Sequence, residues 1–233
     1  MDAVAEQSRI EALRDAERKA NALFEEVVAR AMIVPGVGER ELSDQIRALA
    51  EEMFGTRRFW HKRIVRAGVN TMAPYDDNPP DRVVEADDIV FLDFGPIFAD
   101  WEADVGRTYV LGDDPVKHRL AEDLPRIWEQ GRAHFAATPD ITGAQLFSFV
   151  TGLITDAGWS HAAEHAGHLV GEFPHERISG DALESYIAPA NENPMRRTDP
   201  SGRDCHWILE VHLVDRERGF GGFFEQLLDI PSA

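Results

Sequence analysis

Residues 87–113 read DDIVFLDFGPIFADWEADVGRTYVLGD, and this stretch decides the fold. Its alternating and apolar runs predict two β-strands, 89–95 and 103–111, joined by a short loop around Ala99 and Asp100. Asp93 interrupts an otherwise apolar strand, which costs free energy unless its carboxylate is paired or bound to a metal ion. In a hairpin centred near residues 98–99, Asp93 and Asp104 lie opposite each other, with Cβ atoms roughly 4.5–5.5 Å apart. A cation between them would relieve their repulsion.

The end of the chain repeats this arrangement. Strands are predicted at 207–214 and 222–230, and they place Glu210 opposite Glu225. Any one of these acids could equally be a capped or salt-bridged strand residue. Two separate cross-strand pairs of carboxylates on apolar strands favour metal binding.

A neutral ligand for such a site is expected to be a histidine. The segment EHAGHLVGEFPHE, residues 164–176, offers His165, His168 and His175. The glycines of this segment allow close approach of the backbone, but spacing alone does not choose among the three histidines.

The composition limits the possible partners and location. The chain of 233 residues has 42 acidic and 24 basic side chains, for a formal net charge of −18. Such a charge disfavours binding to nucleic acid or to anionic membranes. Cys205 is the only cysteine, so an intramolecular disulfide is impossible. The charged N-terminus has no signal-like apolar region, and a cytoplasmic location is therefore expected by default.

The order of predicted elements indicates internal repetition. Helices are predicted at 5–33 and 39–53, and again at 115–136 and 142–157. VPGVGERELSDQI in the first half is similar to TPDITGAQLFSFV in the second. Each half runs long helix, short loop, second helix and then strands that end in a hairpin. This order predicts one α+β domain over residues 1–233 with pseudo-two-fold halves.

The motifs together resemble the pita-bread-fold metallopeptidases, which include methionine aminopeptidase, Xaa-Pro aminopeptidase and prolidase. Residues 87–113 resemble the family's first metal motif, with two aspartates eleven residues apart. AGHLVGEFPHE resembles its G-H-x-x-G…H-E segment, ILEVHL its I-E-P strand, and GGFFEQLL its final ligand strand. The resemblance extends over residues 8–230 and implies a curved antiparallel sheet.

The resemblance also implies roles for individual residues. Asp93 would chelate one metal ion, His168 and Glu210 would bind a second, and Asp104 and Glu225 would bridge the two. Glu210 would assist proton transfer, and His175 would contact the substrate and stabilise the tetrahedral intermediate. Arg107 is expected either to pair with a ligand carboxylate or to be a surface residue of the strand.

Two positions depart from the family pattern. The family usually has a histidine, often followed by tyrosine, some seventeen residues before its first aspartate, and this chain has Pro74-Tyr75 there. His61 could replace that histidine if the fold brings it close. His212 stands where relatives often have proline. On an alternating strand it shares a face with Glu210 and could enter the pocket, or it could face solvent.

The resulting hypothesis is a hydrolase with two divalent metal ions, preferably Mn²⁺, with Co²⁺, Fe²⁺ or Zn²⁺ as alternatives. An Xaa-Pro aminopeptidase or dipeptidase is the best specific interpretation, acting on a small peptide. The alternatives are an amidohydrolase acting on a small amide and an inactive binding module. A homodimer is expected by analogy with relatives, since many of them are dimeric.

Overall fold

The helices follow the predicted pattern closely. The computed structural model describes residues 3–174 and 183–230. The α-helices are α1 (Ala3–Ala29), α2 (Glu39–Phe54), α3 (Pro115–Ala137) and α4 (Gly143–Asp156), and short 3-10 helices lie at Gly68–Met72 and Leu183–Ser185. α1 was predicted to extend to residue 33, but the chain leaves the helix before Ala31, which has a φ of +49°. α4 begins with a capping box, in which Thr142 and Gln145 exchange backbone and side-chain hydrogen bonds.

The strands form one antiparallel sheet and a small hairpin. They are β1 (Ile64–Ala67), β2 (Ile89–Phe94), β3 (Ile97–Phe98), β4 (Trp101–Glu102), β5 (Val105–Val110), β6 (Ser160–His161), β7 (Leu169–Val170), β8 (His206–Asp215) and β9 (Phe220–Leu227). The main sheet has the order β1-β2-β5-β9-β8-β6, and β7 pairs with β8. The first half of the chain supplies β1-β2-β5 and the second supplies β9-β8-β6. The predicted α+β class with pseudo-two-fold halves is confirmed.

The helices cover one face of this sheet. Val90, Leu92 and Phe94 of β2 pack in one hydrophobic cluster with side chains of α1 and α2. Leu209, Val211 and Leu213 of β8 pack in a second cluster with side chains of α3 and α4. Because side chains alternate along a strand, the residues between them project from the opposite face. Asp93 and Glu210 are among these.

The first hairpin has a register that differs from the prediction. Ala99 and Asp100 have φ values of +47° and +72°, as a two-residue type I′ turn requires. This turn sets Asp93 opposite Gly106, so the expected pairing of Asp93 with Asp104 is wrong by two residues. A shift of two leaves both carboxylates on the same face. Among the described residues, no helix is both long and apolar enough to cross a membrane.

Candidate metal centre

A row of paired residues crosses the middle of the sheet. Asp93 pairs with Gly106, Gly106 pairs with Glu225, and Glu225 pairs with Glu210, as predicted for the last hairpin. Directly opposed residues on antiparallel strands project from the same face, so the three carboxylates point together away from the helices. Gly106 contributes no side chain to this row. A Cβ at this position would lie 2.4 Å from the Phe223 ring.

His168 reaches this row because a loop lies directly on β8. The backbone N–H of Ile208 donates to the His168 carbonyl at 2.8 Å, and that of Glu210 donates to the Ala166 carbonyl at 3.0 Å. Gly167 makes this contact possible, since its φ is +130° and a Cβ would lie 2.0 Å from the Ile208 carbonyl oxygen. Of His165 and His168, the two of these histidines that the structure describes, His168 is the one that belongs to a group of candidate metal ligands.

Asp104, just before β5, lies at the centre of the cluster. His168 Nε2 is 3.2 Å from Asp104 Oδ2, 3.5 Å from Glu210 Oε1 and 3.9 Å from Glu225 Oε1. His61 Nε2 is 2.9 Å from Asp104 Oδ1 and 3.7 Å from Asp93 Oδ1. Ligand atoms of His61, Asp93 and Asp104 lie within 4.8 Å of one another, and so do those of Asp104, His168 and Glu225. Two adjacent groups of candidate metal ligands therefore share Asp104.

The pKa values of the carboxyl groups in the cluster are shifted from their usual range. Burial raises the pKa of Asp93 and of Glu210 to about 7 each, and burial also raises the pKa of Glu225. Burial alone would raise the pKa of Asp104, but the neighbouring His61 and His168 hold it below its usual range. Carboxylates this close and this buried repel one another.

The donor set fits divalent cations. Oε2 of Glu225 is buried at the centre of the sheet and has no hydrogen-bond partner among the residues that the structure describes. A bound cation would satisfy this unpaired buried oxygen and would reduce the repulsion among the carboxylates. Imidazole and carboxylate ligands suit Mn²⁺, Fe²⁺, Co²⁺ and Zn²⁺. The structure thus places all five residues that the sequence assigned to the metal site together.

The structure shows which face of the sheet His212 and Arg107 project from. His212 shares the face of Glu210, as alternation predicts. It is 4% exposed, its Nε2 donates to the Thr71 carbonyl at 2.8 Å, and it does not face solvent. Arg107 was expected either to pair with a ligand carboxylate or to be a surface residue of the strand, and it is partly buried. Its hydrogen bonds instead go to the backbone carbonyls of Gly106 and Glu225 and to the side chains of Asn21 and Gln226. The reason is alternation: Arg107 points to the helix-covered face, where it reaches the backbone of β9 and the side chain of Gln226 but no ligand carboxylate.

The remaining predicted residues lie near the rim or outside the described residues. The Tyr75 ring centroid is 6.1 Å from that of His61, and Tyr75 is 45% exposed. His175 lies outside the described residues, so its role stays a prediction. Sequence reasoning missed Trp60, whose ring meets both His61 and His168 edge to face, at centroid distances of 4.5 and 5.3 Å. The only signal for it was an aromatic residue beside His61, just before a strand.

Comparison with known proteins gives a consistent result. The family model described as metallopeptidase family M24 matches residues 11–199. An Xaa-Pro dipeptidase of Lactobacillus delbrueckii subsp. lactis is 29% identical over 171 residues, which are 73% of this chain and 45% of that protein. An Xaa-Pro dipeptidase of Pyrococcus furiosus is 30% identical over 150 residues, 63% of this chain and 42% of that protein. The chain spans less than half the length of these curated relatives.

Solved structures share the fold. A prolidase from Thermococcus sibiricus superimposes with a TM-score of 0.76 at 22% identity, covering 96% of this chain and 57% of that chain. A methionine aminopeptidase from Rickettsia prowazekii superimposes with a TM-score of 0.68 at 15% identity, covering 94% and 92%. At these identities the likeness concerns the fold alone, and it confirms the predicted pita-bread fold.

Proposed function

Because the chain belongs to metallopeptidase family M24, we propose that it is a hydrolase of peptide bonds that works with two divalent metal ions. The observation that carries this proposal is the convergence of Asp93, Glu210, Glu225 and His168 around Asp104 on the open face of the sheet. Asp104 and Glu225 would bridge the ions, Asp93 would complete one position, and His168 and Glu210 the other. Bound ions would polarise the scissile carbonyl and activate a water molecule.

Glu210 is the group of this chain best placed to move a proton. Burial raises the pKa of its carboxyl to about 7 without metal, a bound cation would lower it, and its proposed part in proton transfer rests on the family resemblance. Oε1 lies 3.5 Å from His168 Nε2, and Oε2 lies 3.7 Å from His165 Nδ1. The carboxyl therefore lies between two imidazoles. His175 keeps its predicted role as a substrate-contacting group.

Tyr75 would contact the substrate at the rim of the site. It directly follows Pro74, which stands where relatives usually have a histidine, and burial raises the pKa of its phenol to about 12. The phenol is therefore neutral in the physiological range and can donate a hydrogen bond. The ammonium of Lys62 lies 4.4 Å above the Tyr75 ring, which places a cation beside the same rim. A cation there suits a short peptide with a free carboxylate.

An Xaa-Pro dipeptide is the proposed substrate, since the relatives reported above are Xaa-Pro dipeptidases. Mn²⁺ is the proposed ion by family resemblance. A cytoplasmic location and a homodimer belong to the same proposal, and gel filtration of the purified protein tests the dimer. The net charge of −18 continues to argue against nucleic acid as a partner.

A small amide is the second candidate substrate. The observation that favours it is the missing histidine at Pro74-Tyr75, because family peptidases usually carry one there. An amidohydrolase would keep the same metal centre and differ only in what the rim recognises.

One experiment separates these possibilities. The purified protein, stripped with a chelator and reloaded with Mn²⁺, is assayed on Xaa-Pro dipeptides, peptides with N-terminal methionine and small amides. We expect turnover of Xaa-Pro dipeptides, lost in Asp104→Ala and retained in the exposed control Asp140→Ala. Turnover of amides alone would favour the second candidate. Turnover that survives Asp104→Ala would refute the metal mechanism.

A further inference from the structure

His61 is held in the centre of the cluster by a segment that has no part in the sheet. The Trp60 N–H donates to the Gly95 carbonyl at 3.0 Å, and the Ile97 N–H donates to the Arg58 carbonyl at 2.9 Å. The Trp60 indole N–H also donates to the Ala103 carbonyl at 3.0 Å. These bonds fix the segment against the end of β2, and the imidazole then occupies the space that a Cβ on Gly95 would fill.

The two histidines of the cluster have matching local geometry. Nδ1 of His61 lies 2.7 Å from the carbonyl oxygen of Lys62, the next residue, and Nδ1 of His168 lies 2.8 Å from that of Leu169, again the next residue. In both rings the carbonyl accepts from Nδ1–H, so the neutral form of each ring carries its lone pair on Nε2. A ring oriented in this way is the usual form of a metal-binding histidine.

The two rings also approach opposite oxygens of one carboxylate. His61 Nε2 lies 2.9 Å from Asp104 Oδ1, and His168 Nε2 lies 3.2 Å from Asp104 Oδ2. We propose that His61 is a sixth protein ligand, which binds through Nε2 the ion held by Asp93 and Asp104. Each ion of the pair then has one imidazole, with Asp104 between them. This inference rests on the proposed dinuclear centre and adds to it a ligand outside the family's set.

The burial of His61 argues against a role in contacting substrate. Its side chain is 6% exposed. Trp60 packs against the ring, Nδ1 is committed to a backbone carbonyl, and Nε2 faces Asp93 and Asp104. No ring nitrogen is therefore left to meet a substrate, whereas both carboxylates in front of Nε2 are assigned to metal.

The second imidazole changes which ions the centre prefers. Nitrogen ligands favour Co²⁺ and Zn²⁺ over Mn²⁺, which prefers oxygen. Loss of His61 should therefore cost more affinity for Co²⁺ than for Mn²⁺. Such a difference between ions is not expected if His61 only supports the packing of the site.

The test is a titration of the chelator-stripped protein with Co²⁺, followed by calorimetry and by visible absorption. Wild type is expected to bind two ions. In His61→Ala we expect one ion to bind at least about tenfold more weakly and the other to be nearly unaffected. His118→Ala is the matched control, because His118 is an exposed histidine on α3 whose ring contacts the Gly112 carbonyl and which lies outside both ligand groups. It should retain both ions.

A second variant keeps the test independent of folding defects. His61→Gln keeps an amide oxygen at about the reach of Nε2, and an oxygen ligand suits Mn²⁺ better than Co²⁺. Recovery of the weakened site for Mn²⁺ in His61→Gln, relative to His61→Ala, supports ligation. If His61→Ala binds both ions as wild type does, or if His61→Gln binds Mn²⁺ no better than His61→Ala, the sixth ligand is refuted while the five-ligand centre stands. Wild type that binds no Co²⁺ would refute the centre itself.

Discussion

Replacement of Gly95 by alanine probes the packing that holds His61 in place. A Cβ at this position would lie 2.2 Å from Cδ2 and 2.4 Å from Nε2 of His61, and 2.4 Å from Nε1 of Trp60. Both rings must retreat by roughly 1 Å before ordinary contact distances return. The φ of Gly95 is outside the left-handed region, so the effect of the methyl group is steric and not conformational.

Displacement of the His61 and Trp60 rings is expected to lower both the stability of the protein and its affinity for one metal ion. Overpacking of a tight site destabilises a protein by about 1–3 kcal/mol. The bond from the Trp60 indole to the Ala103 carbonyl, now 3.0 Å, is strained by the same movement and contributes about 1 kcal/mol. His61 Nε2 also moves away from Asp104 Oδ1, so one ion should bind about tenfold more weakly or worse.

Chemical denaturation in the presence of chelator measures the first effect, and Co²⁺ titration measures the second. Gly152→Ala is the control, since a Cβ there meets nothing within 4 Å in the middle of α4. We expect the control to gain up to about 1 kcal/mol in stability. In a His61→Ala background the same Gly95→Ala change should cost less, because one of the two clashes is gone. An unfolding free energy and a Co²⁺ affinity that both match wild type would refute the packing argument.

Three further outcomes are expected. Burial alone would lower the pKa of His206, but Asp229 and Glu6, whose oxygens lie 2.7 and 2.9 Å from its ring nitrogens, raise it above the ordinary 6.5. The unfolding free energy of wild type should therefore exceed that of His206→Phe by its full amount below pH 6.5, and this difference should disappear as pH rises through the raised pKa. Urea unfolding across this range measures the difference, and a difference that grew with pH would contradict the prediction. Gly167→Ala should cost at least about 2 kcal/mol and weaken metal binding, because it adds backbone strain and a clash with the Ile208 carbonyl; a thermal melt equal to wild type would be the contrary result. Mn²⁺ at a hundred times its Kd should raise the unfolding free energy by about 2.7 kcal/mol per site, and a chelator should reverse the gain; an unchanged melting curve would speak against the site.

Local sequence patterns predicted the elements and the last hairpin. Glu210 and Glu225 pair as expected because the alternation of strand residues and the DRERG turn together fix the register. The helices and the duplicated order of elements followed from apolar periodicity in the same way. These features depend on residues close in sequence, which a pattern can capture.

Three features of the structure were not predicted from the sequence. The register of the first hairpin depends on a two-residue turn whose positive φ values occur at Ala99 and Asp100, and neither residue type indicates such a turn strongly. The entry of His61 depends on bonds between residues 58–60 and residues 95–97, far apart along the chain. Arg107 was assigned by its neighbourhood to Asp104, although alternation turns it to the other face. Only the entry of His61 depends on a contact between distant segments; the hairpin register and the orientation of Arg107 depend on a local turn and on strand alternation.

The division of the ligands between the two halves gives the centre a mechanical role. His61, Asp93 and Asp104 precede α3, whereas His168, Glu210 and Glu225 follow it, and the halves meet at the seam of β5 and β9. Bound ions would thus link the two halves, much as a disulfide links parts of a secreted domain. The single cysteine of this chain cannot form an internal disulfide. With ions in place the halves should unfold together. After chelation the seam should open first, and hydrogen exchange should then be fastest along β5 and β9.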